Sequence, residues 1–154
     1  MASTVVASTL TTTITESITL NGVDQGGSIV STTASIGEVL KHIVSVTDTL
    51  TELMSFGALA GKGQTVVSGT QYIRLTNLDD SYNAVINVIN SSDDEVHFVL
   101  KPGKSFILSN VSSAMEANSA GAVASPTYAD ISTIKGLSAS AGEVVDIECF
   151  ICQT

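Results

Sequence analysis

The chain has 154 residues, enough for one domain with a substantial hydrophobic core. Fifteen acidic residues against six basic ones give a formal charge of −9, and the bases (Lys41, Lys62, Arg74, Lys101, Lys104, Lys135) are scattered, which argues against a nucleic-acid backbone as partner. The same acidity disfavours an anionic membrane surface, and no apolar run approaches the ~20 residues of a membrane span.

Charged residues make up 14% of the chain, against about 25% in average usage, and Ser and Thr fill the gap. That composition suits sheets whose outer faces are not held by ion pairs, or a surface covered by neighbouring copies. The opening "MASTVVASTLTTTITES" has neither a basic n-region nor an apolar h-region, so it does not read as a signal peptide. A cytoplasmic protein is expected, unless it leaves the cell as part of something larger.

In chain order, the first element is the most regular. Thr9, Thr11, Thr13, Thr15, Ser17 and Thr19 alternate with Leu10, Ile14, Ile18 and Leu20. Period two predicts a strand with one face buried. Its length implies a bend, or a docking role for the early part. Residues 1–22 are therefore expected to form an N-terminal strand or arm ahead of a sandwich body over 23–154. "LNG" at Leu20–Gly22 and "DQGG" at Asp24–Gly27 are turn signals. "SIGEVLKHIVSV" fits a helix through Ile36, Val39, Leu40 and Ile43, or a strand through Leu40, His42, Val44 and Val46. Its β-branched second half favours a strand from about Leu40 to Thr47. A helical turn capped by Ser35 with Glu38 at the third position can precede it. "TLTELMSF" predicts a strand with Leu50, Met54 and Phe56 on one face and Leu53 on the other.

"GALAGKGQ", Gly57–Gln64, reads as a flexible loop; it is one residue short of a phosphate loop and lacks the magnesium-binding hydroxyl. Next comes "QYIRLTN", with Ile73 and Leu75 opposed to Tyr72, Arg74 and Thr76. "NLDDS" is a turn. "YNAVINVIN" sets Ala84, Ile86 and Val88 against Asn83, Val85, Asn87 and Ile89. "SSDDE" turns again, "VHFVL" carries Val96, Phe98 and Leu100, and "KPGKS" leads into "FIL". Strands every ten residues or so, joined by short turns, predict an antiparallel meander. Residues 109–130 lose periodicity, and a loop of that length reads as an interaction arm or a lid over the sandwich edge. "ISTIK" and "EVVDIECFICQ" supply the last strands, with Val145, Ile147, Cys149 and Ile151 inward. The fold class is all-β: a single antiparallel β-sandwich or jelly-roll-like domain, with a core that includes Ile73, Leu75, Ile86, Val88, Phe98 and Leu100.

Groups able to carry chemistry are few. Cys149 and Cys152 form a CxxC, but on a strand they have opposite parity, with Cys149 inward and Cys152 outward or near the end. A redox CxxC opens a helix, and no second CxxC completes a zinc site. Asp79–Asp80 and Asp93–Asp94–Glu95 could offer oxygens to calcium or a carboxylate pair to a glycoside, but Asp is also the ordinary residue of solvated turns. His42 and His97 read as partly exposed spacers, no nucleophile elbow occurs, and aromatics at 5% without Trp offer no stacking platform for sugars or bases. Asn90-Ser-Ser and Asn110-Val-Ser match the glycosylation sequon without a secretory context. No catalytic, cofactor-binding or metal-ligating residue is assigned, and no cofactor is expected.

Two stretches, "MASTVVASTLTTTITESITLNG" and "YIRLTNLDDSYNAVINVINSSDDEVHFVLKPGKSFIL", resemble small β-rich virion structural proteins of tailed bacteriophages, especially those of marine and cyanobacterial hosts. The second has the form seen in that group: a strand ending in Asn77, an acidic turn, a strand, a polar turn, an apolar strand and "KPGKSFIL". The likeness covers about the first 25 residues and about 70–108. It implies a non-enzymatic virion protein, with a capsid decoration (cement) role foremost. The expected partners are the major capsid protein and further copies of the chain, as a trimer. A tail or neck protein is the alternative, and a carbohydrate-binding or adhesion module a further one.

Overall fold

The computed structural model describes residues 5–58, 65–117 and 127–154. Thirteen strands form among the described residues: β1 (Ser8–Glu16), β2 (Thr19–Leu20), β3 (Val23–Asp24), β4 (Gly27–Ile36), β5 (Glu38–Val46), β6 (Thr51–Gly57), β7 (Thr65–Val66), β8 (Thr70–Asn77), β9 (Ala84–Asn90), β10 (Glu95–Leu100), β11 (Ser105–Leu108), β12 (Ile131–Ser138) and β13 (Val145–Gln153). One sheet has the order β10-β9-β12-β6-β7 and the other β11-β8-β13-β5. Their ladders are antiparallel except for the short β6–β7 pair. The two sheets bury their inner faces on each other, which makes the body a β-sandwich.

The core follows the alternation. Ile73 and Leu75 of β8, Ile86 and Val88 of β9, and Val145, Ile147, Cys149 and Ile151 of β13 are buried. Strands β13 and β12 lie inside their sheets, so both edges of each are paired and the inward residues are fully covered. Phe98 departs from the expected core: it is 40% exposed. Strand β10 is an edge strand, and Phe98 stands at the mouth of the sandwich. There its ring stacks on Phe106 of β11, in the opposite sheet, at 4.7 Å between centroids.

Strand β6 also differs from expectation. Leu53 was placed on the face opposite Met54 and Phe56, yet all three are buried, while Leu50 is largely exposed. The β12–β6 register slips between Ile134, which faces Met54, and Lys135, which faces Glu52. Leu53 is the extra residue of this bulge and turns inward. Gly136 makes room for it: a Cβ there would meet Leu53 Cδ1 at 3.1 Å and Ile147 Cδ1 at 2.9 Å.

No helical turn precedes β5. Ser35 lies within β4, with φ of 63°, and Gly37 is the single residue between β4 and β5. The strand alternative for this segment is the one observed, running from Glu38 to Val46. "DQGG" is not a chain reversal either: it lies on the return side of the hairpin made by β1–β4.

That hairpin is separate from both sheets. Asn21 and Gly22 both have positive φ (51° and 79°), the requirement of a two-residue type I′ turn. Leu20 faces Val23, Thr19 faces Asp24, and the ladder continues from Glu16–Gly27 to Leu10–Thr33 in the same register. The Gln25 N–H donates to the Ile18 carbonyl across the gap between the ladders. Gly26 is required here, because a Cβ would collide with the Glu16 carbonyl oxygen. The ribbon thus runs to Ile36, beyond residue 22.

Candidate interaction surface

The arm is a two-faced ribbon. Residues opposite each other in an antiparallel ladder share a face. One face carries Leu10, Ile14, Ile18 and Leu20 with Ile29 and Val23, along with Thr12, Glu16, Ser31 and Thr33; the other carries Thr11, Thr13 and Thr15 with Ser28, Val30 and Thr32. At the base the apolar face is covered. Leu10 is half-buried and, with Ser8, Thr9 and Ile36, closes a groove of about 170 Å³ over Val39, Phe150 and Cys152. Farther out the cover ends: Ile14 is 49% exposed and Ile29, directly opposite, 67%. Ile18, Leu20 and Val23 are exposed as well. Thr12 with Ser31, and Glu16 with Gly27, interrupt these side chains on the same face, so it is apolar in patches; exposed apolar patches are a common feature of interaction surfaces.

The groove lies on the outer face of the second sheet. On this face Lys41 faces Phe150, Ile43 faces Glu148, and Val39 faces Cys152. Glu148 accepts from Lys41 Nζ at 2.9 Å and from Arg74 Nη2 at 2.7 Å. These two cations hold its carboxyl below the usual range, Lys41 foremost. The Arg74 guanidinium also lies 5.7 Å from the Phe150 ring centroid, and Tyr72 meets the same ring edge-on. Val39 and Ile43 of the edge strand β5 are 54% and 57% exposed. An edge strand that ends a sheet with bare apolar side chains is a template for association.

The sequence-predicted groups fall in three classes. Cys149 is inward and Cys152 is on the opposite face, as parity requires, but both are buried and free. Burial pushes the Cys149 thiol up to about 12 and raises Cys152. Neither thiol is an available nucleophile. The first acidic turn binds its own backbone: Asp79 Oδ1 accepts from the N–H groups of Tyr82 and Ser81, at 2.6 Å and 2.7 Å. Asn90 Oδ1 accepts from Ser92 and Asp94, and its amide donates to the Asp94 carboxylate. Among the described residues no group of three or more His, Cys, Asp or Glu is placed to hold a metal. His42 and His97 are exposed; His42 Nε2 is 3.4 Å from the Leu53 carbonyl, and His97 Nε2 is 3.6 Å from Glu95.

"GALAGKGQ" lies outside the described residues except for Gly57 and Ala58, and so do residues 118–126 of the long loop. The described parts of that loop close the sandwich edge. Val111 is fully buried, Met115 bridges to Ala129, and Ala114 and Met115 roof an apolar cavity of about 140 Å³ walled by Val96, Phe98, Phe106 and Leu108.

Sequence reasoning missed the outer face of β5 as a companion surface to the arm. The signal was present: Val39, Lys41 and Ile43 alternate with Leu40, His42 and Val44, so both faces of this strand are largely apolar.

Compared with known proteins, the chain matches no family model and no curated protein.

Proposed function

We propose that this chain is a non-enzymatic structural subunit that works by assembly, a capsid decoration protein of the kind the phage resemblance implies. The observation that supports this reading most is the N-terminal ribbon. It is a regular hairpin whose apolar side chains its own body covers at the base, Leu10 and Ile36, and leaves exposed from Ile14 outward. A protein working alone gains nothing from ordering such an element, since its exposed apolar surface disfavours the isolated state. Against a lattice, many modest contacts of this kind multiply with copy number. The acidic charge keeps free subunits soluble before they dock. The body supplies a low-charge block, and the Asp79 carboxylate is engaged by the N–H groups of its own turn.

The test is quantitation of this chain against the major capsid protein in purified particles. A ratio near one copy per lattice joint is expected. A ratio of one ring per particle moves the protein to the tail or neck. Absence from particles refutes the virion reading.

A further inference from the structure

We infer that the bare apolar face of the arm is covered by a second copy of this chain, lying on the outer face of that copy's β5 with Glu16 on Lys41. The inference rests on the reading of the arm as an assembly element and names its first partner.

Continuity is the first support. The covered base of the arm already shows which surface this face packs on: Leu10 lies over Val39, Phe150 and Cys152, the outer face of the β13–β5 sheet. The stripe then continues past the end of that surface through Ile14, Ile29 and Ile18. The same type of surface, bare at Ile43 and half-bare at Val39, is present on every copy.

Charge is the second. Along the arm's apolar face the only charged residue is Glu16, set between Ile14 and Ile18. Along the outer face of β5 the residue between Val39 and Ile43 is Lys41. Apolar–acid–apolar at alternate positions thus meets apolar–base–apolar at the same spacing, about 7 Å per two strand residues. Lys41 is free to be shared, since its side chain is 58% exposed and Glu148 keeps Arg74 as a second cation. Glu16 makes no ion pair among the described residues. Residues 5–36 carry just two charges, Glu16 and Asp24, so an arm can lie on an acidic neighbour without strong repulsion.

Size is the third. Beyond the covered base at Leu10 and Thr33, this face of the ribbon offers five positions from each strand, with Ile14, Ile18, Leu20, Ile29 and Val23 apolar among them. A protomer that donates one arm and covers an equal surface by receiving another then engages roughly 20 residues, the lower end of the scale of a stable protein interface. Donor and acceptor surfaces differ, so the contact is heterologous and closes into a ring when the rotation allows.

The experiment is light scattering on the purified full chain, without particles, so that failure of self-association and absence from a virion are separate results. The wild-type chain is expected to run as an oligomer. Glu16→Lys puts Lys on Lys41, Lys41→Glu puts Glu on Glu16, and each variant alone should associate at least tenfold more weakly. Mixing the two in equal amounts should restore association, because the arm of each variant finds an opposite charge on the other; every joint is matched in an even-membered ring and all but one in a three-membered ring. Far-UV circular dichroism checks that each variant is folded. Should Lys41→Glu unfold the body, Ile14→Asp on the exposed arm replaces it, and a monomer is expected. A monomeric wild type overturns the inference. So does wild-type mass for Glu16→Lys or Ile14→Asp, or a mixture of folded charge variants that stays monomeric.

Discussion

The Leu53 side chain occupies the space that a side chain at Gly136 would need, with 3.1 Å between Leu53 Cδ1 and the position of a Gly136 Cβ. This relationship joins a bulge in β6 to a glycine in β12 and lets the two sheets close over Ile147. Gly136→Val is therefore expected to lower stability by about 1–3 kcal/mol through overpacking. The atoms in the way are the ends of flexible side chains, so Gly136→Ala should cost less. Combining Gly136→Val with Leu53→Ala should be less destabilising than the sum of the two, since one side chain vacates room for the other. Urea midpoints of the four proteins check this, and strict additivity would refute the packing account.

Asn77 is a second internal keystone. It is fully buried, its amide donates to the carbonyls of Tyr82 and Leu100 at 2.9 Å, and its Oδ1 accepts from the Asp79 N–H. One side chain thus ties the Leu78–Asn83 turn to the end of β10. Asn77→Ala leaves those backbone groups without their partner and is expected to cost about 2–4 kcal/mol. Faster amide exchange at Asp79 in the variant would mark the lost bond, and unchanged exchange there would count against it.

Acid should weaken the fold through two carboxylates. Glu148 is held below its ordinary value by Lys41 and Arg74, and Asp79 by the N–H groups of Tyr82 and Ser81. A depressed folded-state pKa means that the unfolded chain binds protons more readily. Their stabilisation is therefore complete above the unfolded values, near 4.5 for Glu and 3.8 for Asp, and is lost as pH falls through the lower folded values. Glu148→Gln should flatten the acid limb of a plot of urea midpoint against pH, with its largest relative loss at neutral pH. An unchanged limb would show that the pair with Lys41 and Arg74 is energetically silent.

The two cysteines should differ in what protects them. Cys149 lies in the core between the sheets, whereas Cys152 lies under the base of the arm. In the native chain neither should react readily with a thiol reagent, and both should react in urea. Leu10→Ala thins the cover over Cys152 alone, so one thiol, and not two, should become reactive. Reaction of both at the native rate of an exposed thiol would contradict the burial described above. Replacing both cysteines by serine should leave self-association and particle binding intact; loss of a stoichiometric metal in that variant would reverse the structural reading of "CFIC".

Much of the body was legible in the sequence. Strands β8, β9 and β13 follow directly from alternation, and their inward residues Ile73, Leu75, Ile86, Val88, Ile147 and Ile151 are buried. The Asn-Gly turn was legible too, because positive φ at two successive residues is a local demand. Phe98 was misplaced for a reason that alternation cannot carry: period two says which face a residue takes, and nothing about whether its strand is central or at an edge. Leu53 was misplaced because a bulge shifts parity, and that bulge is defined by the partner strand β12.

The arm shows the same division. By itself the sequence determined a two-faced strand, with hydroxyls at the odd positions and Leu10, Ile14, Ile18 and Leu20 on the other side, since side-chain direction along a strand is set by the local backbone; its pairing with Gly27–Ile36 came from the tertiary structure. The alternation predicted one buried face. Only the tertiary structure decided that the chain's own body covers that face at Leu10 and leaves it bare from Ile14 outward. It also decided that Lys41, rather than any other base, stands between two exposed apolar residues on the outer face of β5. Cover depends on which distant segments meet, and strand order and sheet pairing arise from contacts that no local pattern encodes.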